Sequence, residues 1–282
     1  MNPIVFCIYH NKCIDGLMAA AVVKRTYPDA QFFAANYNEP APIESLTGKQ
    51  CIIVDFSYSR EVTLQIVDAS AHLLVLDHHK TAQAALADID HSKAKIVFDM
   101  ERSGAGLAWD YFYPLATGSA RPPLINMVED RDLWKFQYEG SQRLHYVLTC
   151  MDPTPDCFAH QLQLSLQNPD YIIDLVNQGA VMEKLFVAQI ETLKHEAFTV
   201  HISGYVVPVV NAPYIFASEL AGALAEGHPF AATYFFNGKE EVWSLRSRGE
   251  SGIDVSDIAQ QYGGGGHKNA AGFKCNIGSI IH

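Results

Sequence analysis

The chain has 282 residues, of which 49% are apolar and 18% charged, enough for a packed core and too apolar for intrinsic disorder. Its 20 basic and 31 acidic side chains leave a net charge of −11, which excludes the broad basic surface that grips long duplexes. A nucleic-acid partner should therefore be short or held by its end, and the surplus acid is available to hold cations.

No apolar run reaches the ~18 residues of a membrane span. The amino-terminal Met1-Asn2-Pro3-Ile4-Val5-Phe6-Cys7 lacks a basic region and a small-residue cleavage site. A soluble, cytoplasmic chain without a membrane partner is expected. The six cysteines contain no C-x-x-C pair, so they read as reduced thiols rather than a disulfide framework or a zinc site.

Residues 4–9 are one continuous apolar run, the pattern of a strand buried on both faces. Residues 16–27 follow, rich in alanine and ending in Lys24-Arg25 before Pro28, a helix with its stop signal. Further strands are expected at 31–35, 51–54, 72–76 and 96–98, with helices at 59–69, 81–87 and 104–113. This alternation implies a parallel sheet with helices on both faces, whose ligands bind beyond the carboxyl ends of the strands. From 122 to 195 the pattern is helical, and the apolar spacing over 170–197 predicts one long helix. Strands return at 198–202, 205–210, 231–236 and 242–245, with helices at 217–225 and 255–261. The expected fold is α/β: a parallel-sheet domain over 1–135, a helical connector over 136–197 and a smaller α/β domain over 198–282.

Acids and histidines fall where the strands end. His10 sits just past the first strand and Asp15 opens the first helix. Asp55 ends Ile52-Ile53-Val54, and Asp77, His78 and His79 end Leu73-Leu74-Val75-Leu76. Asp130 and Asp132 lie in a helical stretch, and two residues apart on a helix they point ~200° from one another, so only one can face a given site. If the strands are parallel neighbours, the first three groups meet at one sheet edge. Carboxylates and imidazoles crowded together repel or mis-titrate unless a cation sits among them. Oxygen and nitrogen ligands suit Mn²⁺, Mg²⁺ or Zn²⁺, and one carboxylate reachable from both sides would bridge two ions ~3.5–4 Å apart.

The second signal is Gly263-Gly264-Gly265-Gly266-His267-Lys268-Asn269-Ala270-Ala271-Gly272-Phe273. Four glycines free the backbone to present consecutive N–H groups to an anion, and Ala270-Ala271-Gly272-Phe273 reads as a tightly packed helix start, together a phosphate cradle. It is not a P-loop, because the spacing differs and no Ser or Thr follows the Lys. Arg246 and Arg248 lie two residues apart, on one side of the preceding strand. Tyrosines and phenylalanines are scattered at core spacing, so no aromatic stacking platform is expected.

Asp77-His78-His79 after a buried strand, paired with the Gly263–Phe273 stretch, resembles the DHH–DHHA1 phosphoesterases. The resemblance implies two metal ions, commonly Mn²⁺, with His10 and Asp55 on one and Asp15, Asp55, His78 and Asp130 on the other. It implies that His79 contacts the scissile phosphate and that Asp77 orients a histidine ring, so that Asp55, Asp77 and His79 carry the chemistry. Arg246 and the Gly264-Gly265-Gly266-His267 turn would grip the substrate's other phosphate or its end. Cys13 stands where the family has an aspartate, in a loop one residue shorter. A thiolate among the metal ligands is softer and widens the choice of ion from Mn²⁺ or Mg²⁺ to Zn²⁺ or Fe²⁺. The function implied is metal-dependent hydrolysis of short single-stranded oligonucleotides or small (di)nucleotides. A pyrophosphatase or exopolyphosphatase is one alternative; it would need a more basic second domain than Lys239, Arg246, Arg248, Lys268 and Lys274 provide. A non-catalytic nucleotide-binding protein is the other; it would have no need for so many metal-type side chains.

Overall fold

The computed structural model describes residues 4–37, 39–114, 120–168, 170–249 and 253–280; residues 1–3, used above in reading the amino terminus, lie outside them. Strands β1 (Val5–His10), β2 (Gln31–Ala35), β3 (Gln50–Val54), β4 (His72–Asp77) and β5 (Ala94–Phe98) pair in the order β2-β1-β3-β4-β5. Every pairing is parallel. The order makes β1, β3 and β4 neighbours and puts the reversal of strand order at β1, where ligands of such sheets bind.

Two hydrophobic cores explain the unbroken apolar run of β1. Val5, Cys7 and Tyr9 enter the core built with α1 (Ile14–Thr26), while Phe6 and Ile8 enter the opposite core with α2 (Arg60–Ala69). A strand covered on both faces has no position left for a polar side chain. Helix α1 is buried from Leu17 to Val23, and its alanines let α4 (Gly104–Phe112) and α7 (Pro155–Gln167) pack closely. Helix α3 (Lys80–Leu86) follows β4, and α5 (Pro123–Asp132), α6 (Ser141–Thr149) and α8 (Asp170–Lys194) complete the helical part.

The chain divides into two compact units between Glu183 and Lys184, inside α8. A connector over 136–197 is therefore not what the helical stretch forms. Leu144 and Leu148 of α6, Phe158 and Leu162 of α7, and Ile172 and Leu175 of α8 are buried in the same core as α1. Helices with an apolar face to cover become part of the domain that covers it.

In the second unit, β6 (Phe198–Ile202), β7 (Tyr205–Asn211), β8 (Ala231–Phe236), β9 (Glu241–Arg246), β10 (Gly265–His267) and β11 (Ala270–Cys275) form one sheet, in the order β10-β11-β9-β8-β7-β6. Only β7 and β8 run parallel. Helices α9 (Ala217–Leu224) and α10 (Val255–Gln261) cover it, and Tyr234, Trp243, Phe273 and Tyr262 stack in a row through its core. The segment after the glycine run is strand, not a helix start: Ala271 and Phe273 pair with Leu245 and Trp243 of β9. The glycines serve close approach. A Cβ on Gly264 would lie 2.1 Å from the Gly272 carbonyl oxygen, and one on Gly266, whose φ is 145°, would lie 2.5 Å from that of Ala270. Among the described residues no helix is long and apolar enough to cross a membrane.

Candidate metal centre

The carboxyl ends of β1, β3 and β4 bring His10, Asp55, Asp77, His78 and His79 to one place, and the start of α1 adds Cys13 and Asp15. Asp55 follows β3 in the left-handed region, at φ 53°, with its N–H donating to Leu76 at 3.0 Å. A non-glycine residue there is strained, and strain of this kind collects at functional sites. The turn swings the Asp55 carboxylate between two groups. Oδ1 lies 3.0 Å from His78 Nε2, and Oδ2 lies 3.4 Å from His10 Nδ1.

Helix α4 holds Asp15. Its Oδ2 accepts from the Gly104 N–H at 2.5 Å and its Oδ1 from that of Ala105 at 3.0 Å, so the carboxylate caps the positive end of a helix. Ser103 starts that helix, its hydroxyl accepting from the Gly106 N–H. Asp77 is the best satisfied acid of the cluster. It accepts from Ser57 Oγ at 2.6 Å and the His78 N–H at 2.8 Å, and it holds His79 Nδ1 at 2.6 Å. These contacts fix the ring orientation of His79.

Asp132, not Asp130, faces this cluster. Its Oδ2 lies 3.6 Å from His78 Nε2. Asp130 turns the other way, and its two oxygens accept the N–H groups of Gln137 and Tyr138 at 2.7 and 3.1 Å, folding the chain back after α5. The opposed directions expected from helix geometry hold, and the helix phase decides between the two. Asp132 continues the i, i+4 row of Leu124 and Val128, both in the core with α1. That row was readable in the sequence; Ser57 and Gly104, the other contributors missed there, carry no such signal.

The electrostatics call for a cation. Asp15, Asp55 and Asp77 are fully buried. Burial, with Asp55 and Asp132 nearby, pushes the Asp15 carboxyl well above its ordinary range, and burial raises Asp132 too. Burial would lower the pKa of His78, but its hydrogen bond to Asp55 and the charges of Asp132, Asp55 and Asp15 outweigh it and push it up to about 10. Burial and the same carboxylates hold the Cys13 thiol well above its usual value. Asp55 Oδ2 is buried and, with His10 Nδ1 no nearer than 3.4 Å, accepts no well-formed hydrogen bond, leaving it open to a metal. Donor atoms of His10, Cys13 and Asp55 lie within 4.8 Å of one another, and so do those of Asp15, Asp55 and His78. Oxygen, nitrogen and one sulfur fit a divalent transition ion. Cys13 is the N-cap of α1, yet its side chain makes no capping bond.

In the second unit, Arg246 ends β9, its Nη1 donating to the Leu245 carbonyl at 2.8 Å and its Nη2 to Ser218 Oγ at 3.1 Å. Gly265, Gly266 and His267 form β10, directly after Gly264, with His267 opposite Ala270. Arg248 donates to the Gly222 carbonyl.

Residues 205–278 match the DHHA1 domain family. The uncharacterized protein R106 of Acanthamoeba polyphaga mimivirus is 29% identical over 293 residues, covering 94% of this chain and 66% of R106. Oligoribonuclease NrnB of Bacillus subtilis (strain 168) is 27% identical over 232 residues, covering 77% of this chain and 56% of NrnB. The chain thus spans less than two thirds of either relative. Exonuclease RecJ bound to manganese shares the fold, with a TM-score of 0.52 at 15% identity over 96% of this chain and 86% of RecJ. With Asp77-His78-His79 at the end of β4 in one unit and a match to the DHHA1 domain family in the other, the chain is similar to the DHH–DHHA1 phosphoesterases.

Proposed function

We propose that the chain is a metal-dependent phosphodiesterase acting on short single-stranded oligonucleotides or small nucleotides. One observation carries the reading: Asp55 is shared by three donor triplets, with His10 and Cys13, with Asp15 and His78, and with Asp77 and His79. In this reading the first triplet holds one divalent ion, and the second, joined by Asp132, holds another. Ions held by these residues, Mn²⁺ in the first instance, would supply Lewis-acid charge and make a hydroxide nucleophile available near neutral pH.

The protein's own groups do the positioning. Asp77 fixes the ring of His79, whose Nε2 edge would meet a phosphoryl oxygen as charge develops on it. The amide pair of α4 holds Asp15 in place without drawing on the substrate. Arg246 and the Gly264–His267 segment would grip the substrate's far phosphate or end, as the relation to an oligoribonuclease supports. With a net charge of −11, a long polyanion is disfavoured and a short one is tolerated.

Exhaustive dialysis against chelator should abolish hydrolysis of a short RNA and a short DNA, and Mn²⁺ should restore it. Full activity in excess chelator would end the two-ion reading. Turnover of pyrophosphate with none of either oligonucleotide would move the assignment to a pyrophosphatase.

Binding energy from a non-reacting part of the substrate can be used to raise the rate at the reacting phosphate. Arg246→Ala and His267→Ala should therefore each lower kcat/KM for a dinucleotide about 10- to 100-fold, the scale of one lost charged hydrogen bond. Hydrolysis of bis(4-nitrophenyl) phosphate and metal content should stay near the parent's. Equal losses on both substrates would show that these residues serve the metal centre or the fold.

A further inference from the structure

Although the aromatic residues are scattered in sequence, the fold gathers two of them beside the donor cluster. Phe56 follows Asp55 directly and is 1% exposed, its ring in the core beneath the sheet end. Tyr37 follows β2 and packs on it, with ring centroids 4.7 Å apart and planes tilted by 37°. Tyr37 also stands edge-on to His10 at 5.3 Å and 71°, and to His79 at 6.2 Å and 76°. Three neighbours hold the ring, yet the residue is 45% exposed. A scattered surface tyrosine needs no explanation. This one is backed by a buried ring on one side, open on another, and flanked by His10 of the first donor triplet and by His79, the ring assigned to the reacting phosphate.

From this geometry we infer that Tyr37 is the stacking platform for the nucleobase next to the scissile phosphate. In a nucleotide only the sugar separates base from phosphate, so a phosphate lodged at the donor cluster brings its base to the rim, where Tyr37 lies. Phe56 supports the platform from below and keeps it from collapsing onto the sheet. Stacking on a tyrosine face is tolerant of base identity, because every base has a π-face. The substrate class that follows is a nucleotide ester with an unpaired, unstacked base, and an inorganic polyphosphate gains nothing from this residue. The inference rests on the phosphodiesterase reading of the donor cluster.

The test uses the full chain with Mg²⁺ and a dinucleotide that carries 2-aminopurine at one position or the other and an uncleavable methylenephosphonate link. Stacking quenches 2-aminopurine fluorescence. The parent and Tyr37→Phe should quench one of the two isomers strongly, and Tyr37→Leu should lose that quenching and bind about 10- to 100-fold more weakly, the scale of one stacked base. On a cleavable dinucleotide, Tyr37→Leu should lower kcat/KM by a similar factor, and the difference from the parent should vanish when the stacked nucleotide is made abasic. Metal content should not change. Quenching by Tyr37→Leu equal to the parent's would overturn the inference, and so would a Tyr37→Phe as impaired as Tyr37→Leu, which would assign the effect to the hydroxyl. Quenching by a protein that cleaves no phosphodiester would leave the platform standing and remove the phosphodiesterase reading. Cleavage without quenching would do the reverse.

Discussion

Replacing Asp132 by asparagine should lower divalent-ion affinity and phosphodiesterase activity at least ~100-fold, since even groups that only orient metal ligands are worth 10–100-fold. Asp130→Asn should leave both near the parent's. The two variants should separate just as clearly in stability, in the opposite sense. Asp130 accepts two backbone N–H groups and is buried. An amide offers one oxygen where the carboxylate offers two and turns N–H donors against an N–H, a loss of roughly 1–3 kcal/mol. Asp132 in the ion-free protein sits among Asp15 and Asp55, and its carboxyl is raised by burial and by Asp55. Its desolvation outweighs the attraction of His78, so removing the charge lifts a net cost, and ion-free Asp132→Asn should unfold at the parent's temperature or above it. Calorimetric titration with Mn²⁺ and thermal unfolding with and without the ion measure both axes. A variant pair in which Asp130→Asn loses the metal and Asp132→Asn keeps it would reverse the assignment.

Gly104→Ala should be nearly as damaging, by a different route. On helix propensity alone, alanine at the start of α4 should stabilise by up to ~1 kcal/mol. The site forbids it. The added Cβ would lie 2.4 Å from the Cβ of Asp55, 2.9 Å from its Cα and 2.8 Å from Asp15 Oδ2. Two of those atoms belong to the strained turn that carries Asp55, so no side-chain rotation clears the clash. Overpacking of this kind costs ~1–3 kcal/mol. The shift that relieves it also breaks the 2.5 Å bond from the Gly104 N–H to Asp15 and displaces the shared carboxylate. Misplacing a reacting group by about 1 Å costs on the order of 100-fold in rate, so activity should fall by at least that factor. Gly48→Ala is the control. Nothing lies within 4 Å of its added Cβ, and with φ at 70° it should lose only the ~1–2 kcal/mol of a left-handed backbone, with activity intact. A fully active Gly104→Ala would mean that α4 does not press on Asp55 as described.

The parallel sheet, the strand-end acids and the tripeptide Asp77-His78-His79 were legible in the sequence because each rests on local pattern. A strand covered on both faces must be apolar throughout, and the first polar residue after it marks the sheet edge, so the order of residues 4–10, 51–55 and 72–79 already located most of the donor cluster. The helices read as a connector failed for the opposite reason. Periodicity shows that a helix has an apolar face but not which core receives it, and α6 and α7 found theirs against α1. Strands β10 and β11 escaped because a glycine run has no side chains to carry a period, and only the approach of Gly264 to Gly272 reveals why glycine is needed. The choice between Asp130 and Asp132 lay in the phase of α5, visible as the row Leu124, Val128, Asp132 once that helix is known to bury it. Tyr37 and Phe56 belong wholly to tertiary structure. They come from different strand ends, and their contact exists only because β1 lies between β2 and β3, a pairing order that no local pattern in the chain encodes.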